Sequence, residues 1–523
     1  MPLPTINPTQ TQAWKKLQKH FDQLESTAHP FKNADKRSQD FAVTWNEFYF
    51  DFSKNRITRE TLQLLTELAE EVKLKEAIEA QFSGKKINRT ERRAVLHTAL
   101  RDFDSMREEV RSTLEKMKTF SQNIITGVHK GHTGKSITDV VNIGIGGSHL
   151  GPEMITEALK FYKTHLNIHF IANIDGDKVA ELLRELNPET TLFIIVSKSF
   201  TTQETLANAE VVKEWFLKAA VPENIATHFV AVSSNIEKAV AFGIASANIF
   251  PMEDWVGGRF SLWSAVGLSI CCAVGYTHFE SLLKGAFEAD KHFRNTAFDK
   301  NIPVLMALLS VWYNNFYKRE TEVIVSYSQY LEKLIDYLQQ AVMESNGKSI
   351  DRNGEKVTYE TGTIVWGNVG SNAQHAFFQL LHQGTKWAPA DFIGFANPLY
   401  DENLHNHAIL MANFIAQTEA LWEGTKNRFV EDNHRVFEGN RPSNTFLIKK
   451  LTPKNLGSLI AFYEHKIFVQ GIVWNIFSYD QWGVELGKSI AKTTLQAIEI
   501  EAINPNQSPY SNHLLSEYFK MKN

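Results

Sequence analysis

The chain has 523 residues, 43% of them hydrophobic and 22% charged, which excludes a disordered or fibrous protein. Its 55 lysines and arginines against 59 aspartates and glutamates give a formal charge of -4, which leaves no broad basic field for nucleic acid. The two cysteines, Cys271 and Cys272, are neighbours and cannot build a disulfide framework, so a reducing compartment is expected.

The opening "MPLPTINPTQTQAWKKLQ" lacks a charged start followed by an apolar core, and no apolar run elsewhere is long enough to cross a bilayer. A cytoplasmic protein with no membrane partner is expected. Residues 9–120 place apolar and charged positions at helical spacing, as in "RETLQLLTELAEEVKLKEAIEAQF", with little that reads as a strand.

From about residue 138 the pattern changes to short β-rich runs, each followed by a turn and an amphipathic helix: "DVVNIGIG", "NIHFIANI", "TLFIIVS" and "HFVAVSS". Such alternation implies a parallel sheet covered on both faces. A helix-rich interval over about 259–320 follows, and the alternation resumes in "TEVIVSYS", "GTIVWGN", "ADFIGFA" and "NTFLIKKL". Two α/β sheets in tandem are expected, with ligands beyond the carboxyl ends of their strands.

The first of those ends is "VNIGIGGSHLGPEM". It fails the dinucleotide fingerprint, because His149 stands where the third glycine belongs, and it lacks the Gly-Lys-Ser/Thr of a P-loop. What remains is a turn, with Gly147 and Ser148, whose backbone can approach an anion at a helix start. The second is "IIVSKSFTTQETLANAEVV", with Ser197, Lys198, Ser199, Thr201 and Thr202 before a helix. Hydroxyls and an ammonium there can surround a phosphate; a helix cap uses the same residue types but needs one hydroxyl. Two such turns side by side would converge on a phosphorylated metabolite.

Further along, "EDWVGGRFSLWSAVG" brings Arg259 directly after two glycines, which suits either a guanidinium held close to a substrate or a surface arginine. The following "SLWSAVGLSICCAVG" reads as a buried helix holding both cysteines. "AVMESNGKSI" ends a helix at Glu344, where the negative end of the dipole would make a carboxylate more basic, although a solvated glutamate fits the fragment too. "WGNVGSNAQHAFFQLLHQGTKW" sets His375 in the first turn of a helix, whose dipole would keep the ring neutral, unless it is a core or capping histidine. His405 and His407 have no third ligand at suitable spacing, so no metal is expected. "SYDQWGVELGKSIAK" offers Gln481 and Lys488, the lysine with an i-3 partner in Glu485.

Taken together and in this order, "GIGGS", "SKSFTTQET", "VGGRFSLWSA", "MESNGK", "QHAFFQLLHQGTK" and "DQWGVELGK" closely resemble the glucose-6-phosphate isomerase family. The resemblance extends upstream to "FDFSKNRIT" and "INRTERRAVLHTALR", covering about residues 50–490. It implies an α/β fold of two tandem sugar-isomerase (SIS) sandwich domains with mainly parallel sheets. The implied layout is a helical N-terminal region over 1–120 packing on the larger domain, a first, smaller domain over 121–275, a second, larger one over 276–490, and a C-terminal helix and arm over 491–523.

It also implies interconversion of glucose 6-phosphate and fructose 6-phosphate without a cofactor. The site would lie at the junction of domains and subunits of a homodimer. By this resemblance Glu344 transfers the carbon-bound proton, and His375, contributed by the neighbouring subunit, opens the ring. Lys488 is the catalytic lysine near the C-terminus, and Arg259 stands beside the reacting carbons. Gly147, Ser148, Ser197, Lys198, Ser199 and Thr202 surround the phosphate, and Gln481 contacts the substrate. Departures are His149 for a usual aspartate, Ser199 for threonine, and Asn368 and Ala373 in "GNVGSNAQHAF". A sugar-phosphate sensor on the same domains could lose Glu344, His375 or Lys488, yet all three are present. The broken fingerprint argues against a nicotinamide-dependent oxidoreductase.

Overall fold

A computed structural model describes residues 3–27, 31, 34–425 and 432–522. The chain divides into two compact units, one running to Ser478 and one from Tyr479 onward. This break falls ahead of residue 491, where the resemblance places the start of the C-terminal helix and arm.

The first unit holds two sheets. In chain order their strands are β1 (Ala42–Trp45), β2 (Phe48–Asp51), β3 (Asp139–Ile143), β4 (Asn167–Ile171), β5 (Thr191–Val196), β6 (Phe229–Val232), β7 (Ile249–Phe250), β8 (Thr321–Ser326), β9 (Ile364–Val369), β10 (Ala390–Asn397) and β11 (Ser443–Lys450). The five-stranded sheet has the order β4-β3-β5-β6-β7 and is parallel throughout. Strand β5, "TLFIIV", is buried at every position, as a strand covered on both faces must be.

The six-stranded sheet has the order β1-β2-β11-β10-β8-β9. Its four strands β11-β10-β8-β9 are parallel, and the hairpin β1–β2 joins antiparallel along β11. All eight strands expected from the alternation are present. The hairpin adds strand to an N-terminal region expected to be mainly helical. "FYFDF" alternates buried Phe48, Phe50 and Phe52 with the exposed Tyr49, a period of two that marks a strand with one face covered.

Both sheets share one topology. In the first, the chain leaves β3 toward β4 on one side and β5 toward β6 on the other; in the second, β8 leads to β9 and β10 to β11 in the same way. The ends of β3 and β5, and of β8 and β10, are therefore the two points where a crevice opens.

The helix Pro453–Val473 runs through the interior, with all but one of its residues buried. It starts at Thr452, whose hydroxyl accepts from Asn455 N, with Pro453 in the first turn. Its consecutive residues Glu464, His465 and Lys466 are buried but each is answered. Glu464 accepts from Trp263 Nε1 at 2.7 Å and Arg101 Nη1 at 2.8 Å, His465 Nε2 lies 2.7 Å from Asp290 Oδ1, and Lys466 donates to Glu322 at 2.5 Å. Buried charges persist only when paired in this way.

The second unit comprises the turn Trp482–Val484 and the helices Glu485–Glu499 and Pro509–Lys522.

Candidate functional site

The register of β3 and β5 pairs Ile143 with Ile195, so the turns that follow them emerge side by side. A Cβ at Gly144 would lie 3.1 Å from Val196 O, which fixes how close they are. The first turn holds Gly146, Gly147 and Ser148, followed by the helix Leu150–Ala158. The second holds Ser197 to Thr202, followed by the helix Gln203–Phe216.

The second turn's hydroxyls face one another. Ser197 Oγ lies 3.1 Å from Thr202 Oγ1, and Ser199 Oγ lies 2.5 Å from Thr201 Oγ1. Thr202 is the N-cap residue, yet its side chain makes no capping bond, so capping does not explain these residues. Phe200 is buried with φ at +50°, a left-handed conformation that turns the chain sharply and brings the members of each hydroxyl pair together. The Lys198 ammonium donates to Asp254 O at 3.0 Å and Val256 O at 3.2 Å and lies 3.4 Å from Asp254 Oδ1. Burial lowers its pKa, and the Asp254 carboxylate works against that.

Those carbonyls lead directly into the turn Gly258–Phe260. A Cβ on Gly147 would meet Gly258 O at 2.1 Å, so the first anion turn is pressed against the backbone that presents Arg259. Arg259 is not a surface residue: it is 4% exposed. Its Nε donates to Ser345 Oγ at 2.7 Å and its Nη2 to Ser478 O at 2.6 Å, while Nη1 stands 3.6 Å from Glu344 Oε1. Ser478 Oγ in turn donates to Asn346 Oδ1, and Asn346 Nδ2 to Gln470 Oε1.

Glu344 ends a turn of π-helix, Gln340–Glu344, that continues the helix Leu334–Gln339. Such wide turns are uncommon and frequently occur at functional sites. The negative helix end expected here is not alone. Lys348 Nζ donates to the carbonyls of Glu344 and Ser345 at 3.0 and 2.9 Å, so a cation answers the dipole.

His375 corrects another expectation. It lies on the helix Gly370–Ala376 in the last turn rather than the first, so the N-terminal dipole does not act on it. It is exposed, and its neighbour Gln374 donates to Tyr327 Oη at 2.9 Å. The departures at 149, 368 and 373 are absorbed locally. His149 Nε2 pairs with Glu153 at 3.0 Å, Asn368 Oδ1 accepts from Val369 N, and Ala373 is buried.

Gln481 and Lys488 belong to the second unit, where Lys488 donates to Glu485 at 3.0 Å as its spacing suggested. Cys271 and Cys272 are buried and unbridged on the helix Leu268–Val274. Among the described residues no group of three or more potential metal ligands occurs, and no helix is long and apolar enough to cross a membrane.

At the matching place in the second sheet, the ends of β8 and β10 border a cavity of about 490 Å³ lined by Tyr327, Tyr330, Phe395 and Tyr400 among others, with neither lysine nor arginine. Anion chemistry thus concentrates at β3 and β5. Sequence reasoning missed Ser345, Lys348 and Ser478; the lysine was visible in "MESNGK" four residues after the glutamate, but the two serines act through folding alone.

A family model described as phosphoglucose isomerase matches residues 51–515. The chain is 57% identical to a glucose-6-phosphate isomerase of Christiangramia forsetii, over 94% of this chain and 95% of that protein. Its fold is similar to the crystal structure of a glucose-6-phosphate isomerase from Chlamydia trachomatis, with a TM-score of 0.88, 32% identity, and coverage of 99% of this chain and 100% of that one. A protein from Thermus thermophilus described as hypothetical is also similar, with a TM-score of 0.68 and 25% identity over 86% of this chain and 99% of that one.

Proposed function

Since the chain belongs to the phosphoglucose isomerase family and interconverts glucose 6-phosphate and fructose 6-phosphate, an aldose–ketose isomerisation, we propose that Glu344 is the group that moves the carbon-bound proton. The observation that supports this is a carboxylate on a π-turn, 3.6 Å from a buried guanidinium that other bonds hold in place. In this reading the hydroxyls of Ser148, Ser197, Ser199 and Thr202, with the open backbone at Gly147, receive the phosphate. Lys198 belongs to the same turn, and Gln481 contacts the sugar.

His375, assisted by Lys488, removes the proton of the anomeric hydroxyl and supplies one to the ring oxygen, which opens the ring. Glu344 then takes the hydrogen from C2. The electron pair left behind forms the C1–C2 double bond of a cis-enediol, and the former carbonyl oxygen takes up negative charge beside Arg259. Return of the proton to C1, with transfer of the O2 proton to the negatively charged O1, gives the ketose. The remote phosphate holds the carbons in line throughout. Electrons move only within one substrate, so the chemistry calls for no redox cofactor.

His375 is exposed on its own chain, on a helix that contacts the helix Leu404–Glu423, and exposed apolar side chains lie nearby in sequence at Leu380 and along that second helix at Leu404, Ile409 and Ile415. Exposed apolar side chains suit a partner, and we assign this region to a second copy of this chain, whose site His375 completes. Two domains over 121–275 and 276–490, with 1–120 against the larger, accord with one sheet in each and with the β1–β2 hairpin extending the second. A cytoplasmic location fits the unbridged thiols.

The test is Glu344→Gln in a correctly folded protein, followed by exchange of the C2 hydrogen with solvent. Exchange and turnover are both expected to vanish; exchange at the wild-type rate would refute the assignment.

A further inference from the structure

We propose that the Lys198 ammonium is a positioning group for Arg259 and not a ligand of the substrate phosphate; this rests on the reading that the Ser197–Thr202 turn holds phosphate and Arg259 serves the reacting carbons. An ammonium has three N–H donors and no acceptor. Lys198 Nζ faces three oxygens, Asp254 O at 3.0 Å, Val256 O at 3.2 Å and Asp254 Oδ1 at 3.4 Å, so its donors are already engaged.

Both ends of this link are fixed. At the near end, the Lys198 carbonyl accepts from Ser233 Oγ at 3.1 Å and from Ser234 Oγ and N at 2.6 and 2.9 Å. At the far end, Leu96 N donates to Trp255 O at 3.1 Å and Arg93 Nη1 lies 3.5 Å from Asp254 Oδ1. The Asp254 carboxylate is 73% exposed, so its ion pairs contribute little. The two carbonyl bonds are the effective grip.

Val256 is followed by Gly257, Gly258 and Arg259, and glycines transmit position only if something holds the chain before them. Lys198 does this from within the hydroxyl-bearing turn, and Gly147 abuts Gly258 from the other one. The turns that receive the phosphate thereby set the place of the guanidinium beside Glu344. Phosphate affinity belongs to the hydroxyls and backbone, and Lys198 converts a seated phosphate into an aligned Arg259.

Steady-state kinetics of Lys198→Met and Lys198→Arg, with inorganic phosphate as a competitive inhibitor, test this. The methionine keeps the stem and removes the donors. Its kcat is expected to fall roughly 10- to 100-fold, the scale of a small misplacement, while KM and the phosphate inhibition constant stay within about threefold. Arginine binds phosphate well but its planar fork does not match the three oxygens, so Lys198→Arg is expected to keep the low kcat.

A tenfold or larger rise in the phosphate inhibition constant with kcat intact, recovery of kcat by arginine, or no change in any constant would each overturn the proposal. If the methionine variant does not fold, as judged by its thermal melt, the arginine variant gives the same comparison. Failure of the wider mechanism is read separately, from Glu344→Gln.

Discussion

Arg259 Nη1 stands 3.6 Å from Glu344 Oε1, with the rest of the guanidinium bonded to Ser345 Oγ and Ser478 O. The carboxylate therefore feels a positive charge without spending a hydrogen bond on it, and its lone pairs stay available for a carbon acid. Arg259→Lys would lose the two-sided hold, since an ammonium cannot span Ser345 and Ser478 in a plane. A fall in kcat of about 100-fold with a smaller change in KM is expected from steady-state assays.

Glu344→Asp shortens the base by one methylene while keeping its charge. The carboxylate recedes from the substrate carbons by more than about 1 Å, and a misplacement of that size is expected to cost roughly 100-fold in kcat. Substrate should still bind, as checked by KM and by the inhibition constant of a non-isomerisable sugar phosphate.

Gly147→Ala places a methyl against Gly258 O and C at 2.1 and 2.2 Å, both backbone atoms that cannot rotate away. The Arg259 turn must shift to admit it. Reduced kcat and weaker phosphate inhibition are expected together, in contrast to the separate effects at Lys198. A variant with wild-type constants would show that the two turns do not depend on each other.

Mixing subunits tests where His375 acts. Glu344→Gln and His375→Ala are each expected to be inactive as homodimers. In a mixed dimer one site receives both changes and the other receives neither. Recovery of activity on unfolding and refolding the two together is expected; no recovery would place His375 in its own subunit's site.

Stability is expected to decline on the acid side of neutrality. Burial lowers the pKa of both His228 and His292 to about 4. His228 Nε2 accepts from His132 N, and His292 Nε2 accepts from Ile302 N, so protonation there would set two donors against each other. An unfolded histidine titrates near 6.5, so between about pH 6.5 and 4 the unfolded chain takes up protons that the native one does not. The stability is complete above about 6.5 and is lost as pH falls through that window, by up to ~1.4 kcal/mol per pH unit for each ring. Melting temperatures measured from pH 7 to 5 should fall, and His228→Gln, whose amide oxygen can accept from His132 N, should show a shallower slope.

Much of this was legible in the residues. Strands such as "TLFIIV" announce themselves because burial on both faces demands unbroken apolar runs, and the turns after them follow from topology. The β1–β2 hairpin was obscured because each of its strands is only four residues long and lies between strongly helical stretches. His375 was set at the wrong end of its helix because a short helix, Gly370–Ala376, starts directly after β9, whereas the apolar "FFQLL" run belongs largely to a second helix, Phe378–Gln383. Nothing local could reveal that Glu344 sits on a π-turn, or that Lys198 points to residues 254 and 256. Those facts depend on which distant backbone lies opposite, and Ser345 and Ser478 matter only because Arg259 arrives between them.

The three paired polar side chains of the interior helix leave it in different directions, because successive residues on an α-helix are about 100° apart. Glu464, His465 and Lys466 act like teeth cut on separate sides of a key, and the locks are Arg101 and Trp263, Asp290 and Glu322. Adding or removing one residue between Pro453 and Ala461 would rotate every tooth away from its lock at once. This stretch can therefore exchange letters over evolutionary time but cannot change its spelling length, and insertions in the gene should survive only outside it.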